Sequence, residues 1–330
     1  MIITRTPYRI SLFGGGTDYP AWYKVHGGAV MSFAINKYCY ISLRYLPQFF
    51  EHKYRFVYSL IENVQSLEEI KHPAIRGVLQ YLKWTGGIEV HHDGDLPARS
   101  GIASSSAFTV GFLNALNALK GCVSSKYDLA SLAIHIEQEV LGEAVGCQDQ
   151  VIVSYGGINR IDFPKQGAFQ VSPLVLDEGR IKALESRLLL FFTGISRYSS
   201  DIAASQISSI PKNEKQLTKI FDLVNQGILV LESGSDIDLI GEILHESWMN
   251  KKELSPLISN PEIDSIYQGA MESGAIGGKL LGAGGGGFIL FWAHPDNHER
   301  IIKKLRSYIH VPIKIDYEGS RLALYQPEGI

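Results

Sequence analysis

Apolar residues follow two rhythms along this chain. In the first hundred residues they come in short runs broken by Gly and Pro, which reads as strands. Strands are predicted over 2–6, 9–13, 29–35, 39–45 and 87–91. From Ser104 the spacing changes: Phe108, Phe112, Leu116 and Leu119 predict a helix over 104–119. Leu129, Leu132, Ile136 and Val140 predict a second over about 126–141, with Ser125 and Asp128 resembling a capping box. Two apolar runs, 151–154 and 158–162, flank Gly156-Gly157 and read as a hairpin.

A new region starts with a strand at 188–192. Helices are predicted over about 200–230 and 236–252. Another opens with Asn260 as N-cap and Pro261 at its first position, and Gly274 closes it. A Gly-rich turn, a strand at 288–292, a helix near 297–308 and a strand near 311–315 complete the chain. That alternation predicts an α+β second domain, with the boundary near 180: residues 1–180, then 181–330.

The chain's 330 residues exceed one ordinary domain. Its 45% apolar and 20% charged residues are those of a soluble globular protein. A net charge of −3 leaves no basic footprint for nucleic acid. The main apolar runs, 188–192 and 288–293, are far short of the ~20 residues a membrane span needs. The segment MIITRTPYRISLFGGG reads as a strand running into a Gly turn, not as a signal peptide. Cys39, Cys122 and Cys147 are widely spaced, with neither a disulfide framework nor a CxxC site, which fits a reducing cytoplasm.

Four segments carry candidate chemistry. Pro97-Ala98-Arg99-Ser100-Gly101-Ile102-Ala103-Ser104-Ser105-Ser106 is a tight loop delivered onto a helix N-terminus. Unpaired N–H groups and small side chains there suit an anion, though a Ser-rich loop could simply cap the helix. No Lys follows the glycine, so it is not a GxxxxGK[ST] loop. Lys279-Leu-Leu-Gly282-Ala-Gly284-Gly285-Gly286-Gly287 matches GxGxxG formally, but a strand follows, which rules out the dinucleotide reading. So many glycines imply close backbone approach, either to a ligand or to the first loop. In Pro7-Tyr8-Arg9 through Gly14-Gly15-Gly16-Thr17-Asp18-Tyr19, an Arg on a strand and an Asp past a Gly turn could meet at one mouth. Glu137 lies on the apolar face of its helix, so it needs a cation or a hydrogen-bond partner. Asp149 follows it in Gly146-Cys147-Gln148-Asp149-Gln150. His91, His92 and His245 lack metal-ligand spacing.

In this order, PYRISLFGGGTDY, PARSGIASSSAF and KLLGAGGGGFIL resemble the three motifs of the GHMP kinases, the superfamily of galactokinase, homoserine kinase, mevalonate kinase and phosphomevalonate kinase. The resemblance implies a ribosomal protein S5 domain 2-like N-terminal domain and a ferredoxin-like C-terminal domain, with ATP and a small-molecule acceptor between them. It implies that Pro97 and Arg99 to Ser106 (Ser100, Gly101, Ile102, Ala103, Ser104, Ser105) bind the triphosphate. Ser104 or Ser105, with Glu137, is expected to ligate Mg²⁺. Asp149 takes or orients the acceptor's hydroxyl proton, with Arg9 beside it. Lys279, Gly282, Gly284 and Gly285 form the cleft floor.

Gly15 and Gly16 stand where galactokinases carry Glu and His, which leaves room for a larger acceptor held by Thr17 and Asp18. GGGTD and Thr193-Gly-Ile-Ser196-Arg197-Tyr-Ser199 resemble the sugar-1-kinase branch that contains heptose 7-phosphate kinases and the kinase part of fucokinases. The implied reaction is phosphorylation of the anomeric hydroxyl of D-glycero-α-D-manno-heptose 7-phosphate, in synthesis of GDP-heptose for surface polysaccharide. Arg197, or else Arg99, is expected to meet the acceptor's phosphate. The expected partners are ATP and a sugar phosphate, without nucleic acid or membrane; a homodimer is compatible with this.

Overall fold

The computed structural model describes residues 1–195 and 199–327. Two antiparallel-dominated sheets organise it. The first has eight strands. Ile2–Phe13 and Gly28–Tyr45 form its central pair. Each merges two predicted strands. The register shifts between Pro7 and Tyr8, a bulge that accommodates a residue with no N–H to donate. Ile88–Gly94 pairs with the far half of Gly28–Tyr45, and Ile158–Phe163 with its near half. The short strands Tyr54–Val57 and Ile61–Val64, which the sequence pattern did not predict, extend one edge.

The second sheet has strand order Ile309–His310, Leu188–Phe192, Phe288–Ala293, Ala275–Leu280. Counted along the chain this is 4-1-3-2, the ferredoxin-like order. Ala275–Leu280 replaces part of the predicted Gly-rich turn. Two apolar cores result: Ile10, Phe33, Phe112 and Val151 lie in the first, which also takes Leu190, Phe288 and Leu290 from one face of the second sheet, and Trp248, Ile258, Leu280 and Phe291 lie in the second.

A single boundary at 180 does not hold. Arg321–Tyr325 pairs with Ile2–Phe13, and Ile315 bridges to Ile35. The chain's end therefore returns to the first sheet and covers what would otherwise be an open edge beside Ile2–Phe13. The expected strand at 311–315 is reduced to that bridge. Pro211 divides the predicted 200–230 helix into Ser199–Ser209 and Glu214–Glu232.

Two helices position the chemistry. Ser104–Leu119 lies on the central strand pair, with Phe108, Phe112, Leu116 and Leu119 buried as its spacing requires. The second corrects a prediction. Gln148–Tyr155 is a helix, not the first arm of a hairpin. Its Val151-Ile152-Val153 run is buried on every side, so no alternation marks it as either helix or strand. Among the described residues, no helix is long and apolar enough to cross a membrane.

Candidate active site

The first loop ends in alternating handedness. Arg99, Gly101 and Ala103 have φ of +58°, +80° and +65°, while their neighbours do not. Such alternation turns successive N–H groups toward one point and forms an anion-binding concavity. A left-handed alanine costs about 1–2 kcal/mol, a strain that capping alone does not call for. Ala103 is the N-cap residue of Ser104–Leu119 and has no hydroxyl to cap with. The serines are committed elsewhere. Ser104 Oγ accepts from the Arg99 N–H at 3.0 Å, and Ser100 Oγ donates to the Pro97 carbonyl at 2.5 Å. The loop is therefore not a serine cap, and Ala103 to Ser106 at the start of the helix line the cleft.

The second Gly segment braces the first. A Cβ on Gly282 would lie 2.5 Å from Gly101 Cα, and one on Gly287 would lie 2.2 Å from the Ser100 carbonyl oxygen. Phe288 N donates to that oxygen at 3.0 Å. Of the two readings of this segment, close approach to the first loop is the one observed.

Arg9 ties the loop to Asp149. It is 3% exposed, and its Nε and Nη2 donate to the two Asp149 carboxylate oxygens at 2.9 and 2.8 Å. Its Nη1 donates to the Gly101 carbonyl at 2.6 Å. Such a fork fixes both the position and the plane of the carboxylate. Asp149 itself sits in the first turn of Gln148–Tyr155, at the mouth where the two sheets meet.

Glu137 lies where the helix after Ser125 loosens into a π turn, Ile136–Val140, a distortion frequent at functional sites. It is fully buried and has no cation partner among the described residues; Ser106 Oγ donates to its Oε2 at 2.9 Å and Gln150 Nε2 at 2.5 Å. Its Oε1 has no partner. Burial, with Glu143's charge adding to it, pushes its carboxyl up to about 7. The expectation paired Glu137 with Ser104 or Ser105. The hydroxyl hydrogen-bonded to Glu137 is that of Ser106, while Ser105 is exposed and Ser104 accepts from the Arg99 N–H; all three line the cleft.

The cleft, about 350 Å³, is lined by Arg9, Gly15, Gly16, Asp18, Arg99, Gly101, Ala103, Ser104 to Ser106, Glu137, Asp149, Lys279 and Gly282 among the expected residues. Asp18 is 2% exposed, and its oxygens accept from the N–H groups of Gly16 at 3.0 Å and Gln148 at 3.3 Å. Burial, then the charge of Asp149, raises its carboxyl above the usual range.

Several expected contacts do not reach the cleft. Thr17 is fully buried, and its hydroxyl oxygen lies 2.8 Å from both the Gly14 and the Ala29 carbonyl oxygens, to which its one proton can be donated; it holds the turn and does not line the cleft. Pro97, Ser100 and Ile102 lie behind the loop and fix its shape, Ile102 through its carbonyl to Arg9 N. Gly284 and Gly285 back onto Ile258, not the cleft. Arg197 lies outside the described residues.

Among the cleft residues that sequence reasoning left out of the site, three carry polar side chains next to its centre. Ser11 carries a buried hydroxyl without a partner, Gln148 follows Cys147, and Lys251 comes from the end of helix Leu239–Glu253. No motif marks Lys251, which sits in an ordinary Lys-Lys-Glu helix end.

Comparison with known proteins agrees with this geometry. Residues 68–157 match the GHMP kinases N terminal domain, and residues 228–311 match GHMP kinases C terminal. The chain is 31% identical over 316 residues to a D-glycero-alpha-D-manno-heptose 7-phosphate kinase of Campylobacter jejuni, spanning 92% of this chain and 93% of that one. This chain is a GHMP kinase. It is 28% identical to a galactokinase of Pyrococcus furiosus, covering 100% of this chain and 99% of the relative. A D-glycero-D-manno-heptose 1-phosphate kinase of B. thetaiotaomicron shares the fold at a TM-score of 0.81 with 23% identity, over 99% and 100% of the two chains. The protein is thus a phosphotransferase of the sugar-kinase type.

GHMP kinases use ATP, usually with Mg²⁺. The residues here fit that ion. A buried carboxylate oxygen with no partner, flanked by a serine hydroxyl, is a hard oxygen donor set of the kind Mg²⁺ takes together with phosphate oxygens. Among the described residues no group of three His, Cys, Asp or Glu side chains gathers into a metal cage.

Proposed function

We propose that this GHMP kinase transfers the γ-phosphoryl group of ATP to the anomeric hydroxyl of D-glycero-α-D-manno-heptose 7-phosphate, giving the 1,7-bisphosphate in the cytoplasm. The transfer is supported most by the Arg9–Asp149 fork, held between the phosphate cradle and the Gly14–Gly16 turn. The acceptor is supported by the likeness to the Campylobacter jejuni heptose 7-phosphate kinase and by the open space over Gly15, where a Cβ would meet nothing closer than 3.7 Å.

The N–H groups of 101–106 hold the β- and γ-phosphates. Glu137 and Ser106 would hold Mg²⁺, which when bound neutralises charge on those phosphates. Asp149 accepts the anomeric hydroxyl proton as the sugar oxygen bonds to the γ-phosphorus and the bond to the ADP oxygen breaks. Arg9 keeps the carboxylate in position, and its charge faces the transferring group. Ser11 and Asp18 offer hydrogen bonds to sugar hydroxyls. Phosphoryl transfer depends mainly on positioning and charge stabilisation, so one well-placed carboxylate suffices.

An ADP-release assay across heptose 7-phosphate, fucose, galactose and mevalonate tests this. The heptose phosphate should give the highest kcat/KM. Turnover of fucose or galactose with none on the heptose phosphate would reject it.

A further inference from the structure

Two lysines in the cleft take no part in the chemistry above. Lys251 is 5% exposed and Lys279 2% exposed, yet both line the cavity. Lys251 Nζ donates to the carbonyls of Leu280 at 3.0 Å and Gly282 at 2.5 Å. Lys279 Nζ donates to the Leu12 carbonyl at 3.1 Å. Among the described residues neither ammonium has a carboxylate partner. An ammonium carries three donors, so one remains on Lys251 and two on Lys279.

Lys279 reaches the acceptor side, and Lys251 stands between that side and the Gly282 segment that braces the first loop. Leu12 lies two residues before the Gly14–Gly16 turn. Leu254, one turn beyond Lys251, packs 3.6 Å from where a Gly16 Cβ would stand. The nucleotide cradle, by contrast, is built from 99–106 and the start of helix Ser104–Leu119. Three cations, Arg9, Lys251 and Lys279, share this corner with two carboxylates, Asp18 and Asp149, and Arg9 is already committed to Asp149. Burying surplus like charges is costly unless an anion meets them. Burial first, and then repulsion from Arg9 and, for Lys251, from Lys279, lowers the proton affinity of both lysines, which an arriving anion would reverse.

We propose that Lys251 and Lys279 form an anion subsite that reads the phosphate already present on the acceptor, so that the enzyme selects phosphorylated sugars. This rests on the proposed transfer to a sugar phosphate, and it assigns the role expected of Arg197 or Arg99 to two different residues. Charge-assisted hydrogen bonds of this kind discriminate by roughly 10- to 100-fold.

The test is the ratio of kcat/KM for a sugar phosphate to that for the same sugar without phosphate, measured in the full-length wild type, Lys251→Met and Lys251→Arg. The ratio should fall about 10- to 100-fold in Lys251→Met and recover in part in Lys251→Arg. Equal losses on both sugars, or a loss confined to the KM for ATP, would overturn the subsite and leave Lys251 as a brace of the Gly282 turn. Lys279→Met, which gives up one carbonyl contact, reads the same ratio should Lys251→Met not fold. The two readings separate cleanly. A wild type that prefers another sugar phosphate to the heptose rejects the acceptor and keeps the subsite. One that uses the heptose phosphate, with an unchanged ratio in both methionine variants, keeps the acceptor and rejects the subsite.

Discussion

Glu137→Gln should stabilise the metal-free, nucleotide-free protein while stopping its turnover. Glu137 is fully buried, and no cation faces it among the described residues. Its carboxyl is pushed from a usual 4.5 up to about 7, chiefly by burial. Below pH 4.5 the folded and unfolded chains both hold the proton. Between 4.5 and 7 the unfolded chain releases it and the folded chain keeps it, so stability falls as pH rises through this window. Above 7 the full cost is present, about 3 kcal/mol at roughly 1.4 kcal/mol for each tenfold. Glutamine carries no such charge. Its amide can donate to Gln150 Oε1, which is buried without a partner, and its carbonyl can still accept from Ser106.

Urea unfolding in EDTA reads this directly. The variant should exceed the wild type by about 3 kcal/mol at pH 8, and by less than about 1 kcal/mol at pH 5. Other titrating groups are common to both proteins and cancel in the difference. A gap that does not change between the two pH values would refute the reasoning, because Glu137 would then carry the same charge folded and unfolded. Equal stability of the two proteins at pH 8 would refute it as well.

Asp149→Asn keeps the size of the side chain but cannot take a proton, and it sets an amide NH₂ against one arm of the Arg9 fork, so kcat should fall about 10²- to 10⁴-fold with little change in ATP affinity by calorimetry. Gly287→Ala forces a Cβ to 2.2 Å from the Ser100 carbonyl at a φ of +95°; about 3 kcal/mol of stability should be lost, and the KM for ATP should rise as the cradle is displaced. Thr17→Val removes the one hydroxyl donor shared by two buried backbone carbonyls. It should cost about 1–3 kcal/mol in denaturant unfolding without a selective rise in the KM for the sugar.

What the sequence made legible, it made legible through local physics. Pro97, the small residues and the 3.6-residue spacing from Phe108 onward located the first loop and its helix, because turn and helix signals act within one segment. The same logic placed Ser125 and Asn260 as caps, and both side chains accept the expected N–H bonds. It failed at Gln148–Tyr155, where an all-apolar run carries no period. The Ser106–Glu137 hydrogen bond was not legible either, since it exists only because of how two helices pack. Lys251 and the return of Arg321–Tyr325 to the first sheet depend on contacts between distant segments, which composition and spacing do not encode. The Arg9–Asp149 pairing, 140 residues apart, was accessible only through resemblance to a family.

The central claim is transfer to an anomeric hydroxyl of an already phosphorylated sugar. Phosphorus NMR of the product from heptose 7-phosphate and Mg·ATP tests it most directly. The account predicts one new phosphate signal coupled to the anomeric proton, an unchanged 7-phosphate signal, and one ADP for each product. A new phosphate at any other position, or ADP formation only with unphosphorylated sugars, would contradict it.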